Sequence, residues 1–144
     1  MAYNMPTIND LYSTYIEVAY LHSKLSKALR LKVGACLVTS SGICIPGYNG
    51  TPSGTDNSCE TSDFFAKLST KQEVIHAELN CILKCAKEGV SCTGATMYIT
   101  HAPCRACSAM ILQSGIEKVV YREAYRDDSG VKYLRDNQVE VIQF

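Results

Sequence analysis

The chain has 144 residues, 47% apolar and 19% charged, with 14 Lys plus Arg against 14 Asp plus Glu. That length fits one domain with a buried core, the composition is that of an ordinary globular protein, and the lack of a basic surplus argues against a polynucleotide partner. No apolar run reaches signal-peptide or membrane-spanning length, so the eight cysteines read as thiols and metal ligands of a cytoplasmic protein with no membrane partner.

In chain order, residues from about Ile8 to Leu29 place Leu11, Tyr15, Val18, Ala19, His22 and Leu25 at helical period. They predict an amphipathic helix with His22 as a core or boundary histidine. Val33–Val38 and Ile43–Tyr48 flank the turn residues Thr39-Ser40-Ser41-Gly42 and predict two strands. Pro46 marks an edge or a bulge, because it cannot donate to a ladder. The stretch Asn49 to Lys71 reads as a long insertion in a single domain spanning residues 1–144. Its sequence suggests a short helix around Phe64 to Leu68, held down by packing of Phe64, Phe65 and Leu68; loops of this length are usually functional.

His76 then opens a helix expected to bury Leu79, Ile82, Leu83 and Ala86 and to end at Gly89, with Cys81 and Cys85 as a reduced buried pair. Ala95–Thr100 is a strand leading to a second helix over Cys104 to Ser114. Lys118–Tyr121 is a strand, Val131–Asp136 a short helix and Val139–Ile142 a last strand. The order α-β-β-α-β-α-β-α-β predicts an α/β protein, a three-layer α/β/α sandwich around a five-stranded mixed sheet. Ligands are expected where its strands end and its helices begin.

Two short stretches carry the chemistry: His76-Ala77-Glu78 and Pro103-Cys104-Arg105-Ala106-Cys107. One imidazole and two thiols make three zinc ligands and leave a fourth tetrahedral position open, as in catalytic sites. His76 and Glu78 point to nearly opposite sides of a regular helix, so they share one site only if both sit in its first turn and reach past its end. Pro103 suits the opening residue of the second helix. Two helix N-termini then converge on one metal, and their partial positive charge favours thiolate. The competing reading is a structural zinc knot or buried cysteines beside a core histidine, but a structural site needs a fourth protein ligand and has no use for Glu78.

This H-x-E and P-C-x-x-C pairing resembles the signature of zinc nucleobase deaminases. Ser26-Lys27, Val33 to Val38, Gly47-Tyr48-Asn49-Gly50-Thr51-Pro52-Ser53-Gly54, His76 to Asn80 and Tyr125-Arg126-Asp127 extend the likeness from about Leu11 onward. Over that span the chain is similar to the deoxycytidylate (dCMP) deaminases of the cytidine deaminase superfamily. The metal motif alone is as similar to cytosine deaminases and tRNA adenosine deaminases; the Gly47–Gly54 loop and the insertion favour dCMP.

The resemblance implies the cytidine deaminase-like fold and hydrolysis of dCMP to dUMP and ammonia, supplying dUMP for thymidylate synthesis. It implies Zn2+ held by His76, Cys104 and Cys107, with Glu78 as the catalytic proton shuttle. The Ala77 N–H would hold the pyrimidine O2, the Ala102 carbonyl would receive the departing amino group, and Asn49 would bond the sugar. Arg30, Tyr125 and Arg126 would meet the 5′-phosphate and the base-side wall, guanidinium being suited to phosphate. Tyr48, Asn49 and Gly50 would bind the effectors, dCTP as activator and dTTP as inhibitor, in a homo-oligomer, a hexamer. Some phage and bacterial-type relatives carry a second zinc held by cysteines and by histidines just before the H-A-E motif. Residues 66–75 here contain no histidine, so one zinc per chain is expected. A different zinc deaminase and a catalytically silent nucleotide-sensing module remain as alternatives, and Glu78 speaks against the second.

Overall fold

In the computed structural model, which describes residues 3–144, helix α1 (Ile8–Ser23) opens with a capping box. The Asp10 N–H donates to the Thr7 hydroxyl at 3.1 Å, and the Thr7 N–H donates to the Asp10 carboxylate at 2.8 Å, so two otherwise unpaired donors satisfy each other's residue. The buried stripe is Tyr12, Ile16, Ala19 and Ser23, turned from the expected one, and Leu11 and Leu25 are exposed. The cause is contact with strand β1 (Gly34–Val38): a Cβ on Gly34 would overlap the Ala19 carbonyl oxygen, so the helix lies backbone to backbone over that point. It also ends well before Leu29. There the buried Ser26 hydroxyl donates to the Asn49 carbonyl and accepts the Ala28 N–H, drawing the chain out of the helix. His22 is partly buried, as expected of a boundary histidine.

β1 pairs antiparallel with β2 (Cys44–Tyr48) and with β5 (Thr96–His101); β5, β6 (Lys118–Glu123) and β7 (Glu140–Gln143) run parallel in the order β2-β1-β5-β6-β7. This is the mixed five-stranded sheet expected, and Pro46 lies on its edge strand. Parallel neighbours need crossovers, which α3 (Arg105–Gln113) and α4 (Ser129–Asp136) supply. One face packs Cys36, Val38, Tyr98 and Val120 against Tyr12 and Ile16 of α1. The other packs Leu37, Met97, Ile99 and Val119 against α2 (Ala77–Glu88), α3 and α4. Helices therefore cover both faces, giving three layers, and every residue of β1 is buried as a two-sided strand requires.

Helix α2 ends at Gly89, in the left-handed conformation with φ 71°. Its inward residues are Ala77, Cys81 and Cys85, whereas Leu83 is 45% exposed and Ala86 is exposed. The expected leucine face is corrected by proximity: a Cβ on Gly47 of β2 would come within 2.9 Å of both the Ala77 carbonyl oxygen and Cys81 Sγ. Only small side chains fit such a gap.

The insertion contains no helix. It is a hairpin of β3 (Glu60–Ser62) and β4 (Leu68–Thr70), turned by Asp63, whose carboxylate accepts the N–H groups of Phe65 and Lys67. Phe64 and Phe65 are 96% and 85% exposed and touch each other edge to face, so they do not hold the insertion down. Polar contacts do. Glu60 accepts the N–H groups of Leu29 and Arg30 at 2.9 and 3.1 Å, and the Arg30 guanidinium donates to the Thr70 hydroxyl at 3.1 Å. The two ends of the excursion meet where Gly50 and Ile75 exchange backbone hydrogen bonds of 3.1 and 2.8 Å, immediately before His76.

Candidate active site

Both metal-bearing motifs sit at helix starts. His76 is the N-cap of α2 and Cys104 the N-cap of α3, each with extended backbone. Pro103 thus precedes the cap rather than opening the helix. At these positions the first backbone N–H groups have no partner inside the helix, and the Cys107 N–H donates to Cys104 Sγ at 3.5 Å. Glu78, in the first turn of α2, is only 4% exposed.

His76 Nδ1 lies 3.2 Å from Cys107 Sγ and 3.7 Å from Cys104 Sγ, and the three donor atoms fall within 4.8 Å of one another. A tetrahedral zinc with Zn–N near 2.0 Å and Zn–S near 2.3 Å requires N···S separations of about 3.5 Å, which the two observed values bracket. Among the described residues this is the one group of three His, Cys, Asp or Glu side chains so placed. A Glu78 carboxylate oxygen stands 4.0 Å from His76 Nδ1, beside the donor set and outside it.

The electrostatics fit the same ion. Hydrogen bonds with Cys107 and His76 hold the Cys104 thiol down to about 3. Cys107 is pushed up by its hydrogen bond with Cys104, by burial and by Glu78. Burial raises Glu78, against the pull of a hydrogen bond with Cys107. Two thiols and a carboxylate thus crowd one imidazole, and a dication is the charge that lets both sulfurs ionise.

The donor set opens into a cavity of about 580 Å³ whose wall includes His76, Glu78, Cys104, Ala77 and Ala102. Of the other residues singled out from sequence, Arg30, Asn49, Tyr125 and Arg126 also line it, while Cys107 lies behind the wall and Tyr48 and Gly50 lie outside. The Asn49 side chain is partly committed. Its amide donates to the Leu31 carbonyl at 2.8 Å and its oxygen accepts the Val33 N–H at 2.9 Å, leaving one N–H and one lone pair for a ligand. The Ala102 N–H donates to the Glu123 carbonyl at 2.8 Å, which fixes the peptide leading to Pro103.

Sequence reasoning passed over Glu60, Thr70 and His101 as site residues, all in the cavity wall. For His101 a signal existed: strand alternation places it with Met97 and Ile99, which face α2, α3 and α4. Its Nδ1 is 2.7 Å from the Thr100 hydroxyl and its Nε2 2.6 Å from the Glu123 carboxylate. Its ring stacks on Tyr125 at 5.7 Å between centroids and 22° between planes.

Residues 10–123 match the family described as the cytidine and deoxycytidylate deaminase zinc-binding region. The chain is 37% identical, over an alignment 151 positions long, to the deoxycytidylate deaminase of Enterobacteria phage T4, covering 78% of each protein. It is 36% identical over 121 residues to the Homo sapiens deoxycytidylate deaminase, covering 80% of this chain and 66% of that one. Its backbone resembles the crystal structure of dCMP deaminase from the cyanophage S-TIM5 in complex with dCMP and dUMP. The TM-score is 0.87 at 39% identity, over 96% of this chain and 99% of that one.

Proposed function

The chain belongs to the zinc-dependent cytidine and deoxycytidylate deaminase family, and we infer that it hydrolyses dCMP to dUMP and ammonia. The observation that carries this reading is a His76, Cys104 and Cys107 donor set with buried Glu78 beside it, opening on a nucleotide-sized cavity walled by Arg30 and Arg126. The alignment with the phage enzymes over most of both chains supports dCMP as substrate.

His76, Cys104 and Cys107 would hold the zinc, which would supply the Lewis acidity that makes water a nucleophile at neutral pH. Glu78 takes one proton from the water that attacks C4 of the pyrimidine and passes it to N3; it then takes the remaining hydroxyl proton of the adduct and delivers it to the amino group, which leaves as ammonia while the C4 carbonyl forms. Because burial raises its proton affinity, Glu78 is suited both to accept that proton and to release it. The Ala77 N–H at the start of α2 holds the ring O2, and the Ala102 carbonyl receives the ammonia. Asn49 offers its remaining amide capacity to the sugar. Arg30 and Arg126 meet the 5′-phosphate, and Tyr125 walls the base. With one such donor group among the described residues, one zinc per chain is inferred.

Regulation belongs to the same reading. dCTP as activator and dTTP as inhibitor would act through Tyr48, Asn49 and Gly50 in a homohexamer. Supporting this, the Tyr48 carbonyl accepts a hydrogen bond from Asn80 of α2 at 2.7 Å, and Gly50 is bridged to Ile75 next to His76. A ligand on this loop therefore reaches the start of the catalytic helix. No helix among the described residues is long and apolar enough to cross a membrane, and eight free cysteines favour a reducing, cytoplasmic setting.

The test is ammonia release by the zinc-loaded protein from dCMP, deoxycytidine, cytosine and an adenosine-bearing RNA stem-loop, with and without dCTP and dTTP. dCMP should be the best substrate by far. Preference for the stem-loop or the free base would replace this reading with another zinc deaminase, and silence on every substrate would leave a nucleotide sensor.

A further inference from the structure

We propose that His101 is a positioning residue of the cavity, held in a single tautomer by Thr100 and Glu123, and that its ring is the platform that sets Tyr125 as the wall for the pyrimidine. The inference deepens the dCMP reading, on which it rests, by naming what fixes the base side of the site.

The hydrogen-bond directions around His101 follow from the donors available. The Glu123 carboxylate can only accept, so His101 Nε2 carries a proton and donates to it at 2.6 Å. In the neutral ring Nδ1 is then the acceptor of the Thr100 hydroxyl at 2.7 Å, and that hydroxyl's oxygen in turn accepts the Gly34 N–H at 3.2 Å. Burial lowers the imidazole's affinity for a second proton, against the pull of Glu123. Both nitrogens are occupied, so the ring has no donor left for a ligand and acts through its face.

That face carries Tyr125. Tyr125 lies on the link between β6 and α4, outside any regular element, and is 40% exposed. An aromatic side chain on such a link needs a partner to stay in one place, and the near-parallel stack on His101 is that partner. Glu123 serves the arrangement twice, since its carboxylate holds His101 while its carbonyl holds the N–H of Ala102. The end of β5, the platform and the approach to Pro103 are thereby set in one register, with His101 paired to Glu123 across the strands.

A double-mutant cycle on the zinc-loaded enzyme separates this role from a general brace. His101→Leu and Tyr125→Leu should each raise KM for dCMP by about three- to tenfold, the worth of one aromatic contact, and more than they lower kcat. Because one acts through the other, the double variant should be no worse than the worse single. His101→Phe, which restores a stacking face without the hydrogen bonds, should recover most of the loss. Effects that multiply in the double variant, or a phenylalanine no better than leucine, would overturn the proposal. A readout independent of activity is the ring-current shift of the Tyr125 resonances in the ligand-free protein. It should vanish in His101→Leu and persist in His101→Phe, and an active enzyme whose Tyr125 resonances ignore both changes would also overturn it. A protein inert towards dCMP would instead remove the substrate reading, and the resonances alone would then decide whether the platform exists.

Discussion

The wall of the cavity that carries His76, Cys104 and Glu78 is made of two helix starts, held by backbone geometry and backed by the buried face of α2 and α3. The wall that carries Arg30, Glu60 and Thr70 is made of side-chain hydrogen bonds between a link after α1 and a hairpin. Helix ends fix their first side chains to within fractions of an ångström because the whole helix must move with them. Hydrogen bonds among half-exposed groups contribute about 1 kcal/mol each and open locally. The first wall is thus suited to chemistry, which tolerates little displacement, and the second to affinity and to substrate choice.

Removing the metal from the first wall should have the largest effect. Cys104→Ala leaves two protein donors, so zinc content should fall well below one per chain and activity with it. Metal analysis checks this, and two zinc per wild-type chain with one surviving the substitution would show a second site. Next is Glu78→Gln, which should keep zinc and fold while turnover drops by about 10² to 10⁴; steady-state rates within tenfold of wild type would remove Glu78 from the mechanism. On the second wall, Arg30→Ala should raise KM for dCMP by about ten- to a hundredfold, a charged hydrogen bond's worth. Deoxycytidine, which has no phosphate to lose, should be used as before, and an equal loss on both substrates would place Arg30 elsewhere.

Glu60→Ala should cost about 1 kcal/mol and act locally. Hydrogen exchange would show faster opening of residues 58–72 with α2 and α3 still protected, and uniform loss of protection would mean that the walls are not separable. The smallest effect belongs to Phe64→Ser with Phe65→Ser. With both rings in solvent, the denaturation midpoint should move by less than about 0.5 kcal/mol of stability.

The same division explains what could be read from the chain. The first wall was legible because its ligands are rare residue types at short fixed spacings, and because spacing on a helix end converts directly into position. The order of elements and the edge position of Pro46 were legible for a similar reason: each follows from a local preference. The second wall joins Arg30 to Thr70 across 40 positions and Glu60 to Leu29 across 31, through residue types that any surface carries. Apolar content misled where contact was too close for it. On α2 the cysteines face inward and Leu83 outward because Gly47 brings β2 so near, and on α1 the stripe turned to follow Gly34. Phe64 and Phe65 misled because burial was inferred from hydrophobicity alone, when the Asp63 turn points both outward. His101 was legible by strand parity but carried no motif to draw notice.

The pair of hydrogen bonds between Gly50 and Ile75 makes residues 51–74 a closed excursion, leaving and rejoining the fold at one point just ahead of His76. In a flexible loop, doubling the length costs only about 0.6 kcal/mol, and here any change of length is absorbed beyond the bridge rather than transmitted to α2. The excursion can therefore change in size or sequence, and with it which molecules enter the cavity, while the reacting atoms stay where they are. Variation in specificity and preservation of the reaction are decoupled by two hydrogen bonds between main-chain groups, which depend on no side chain and survive most point mutations.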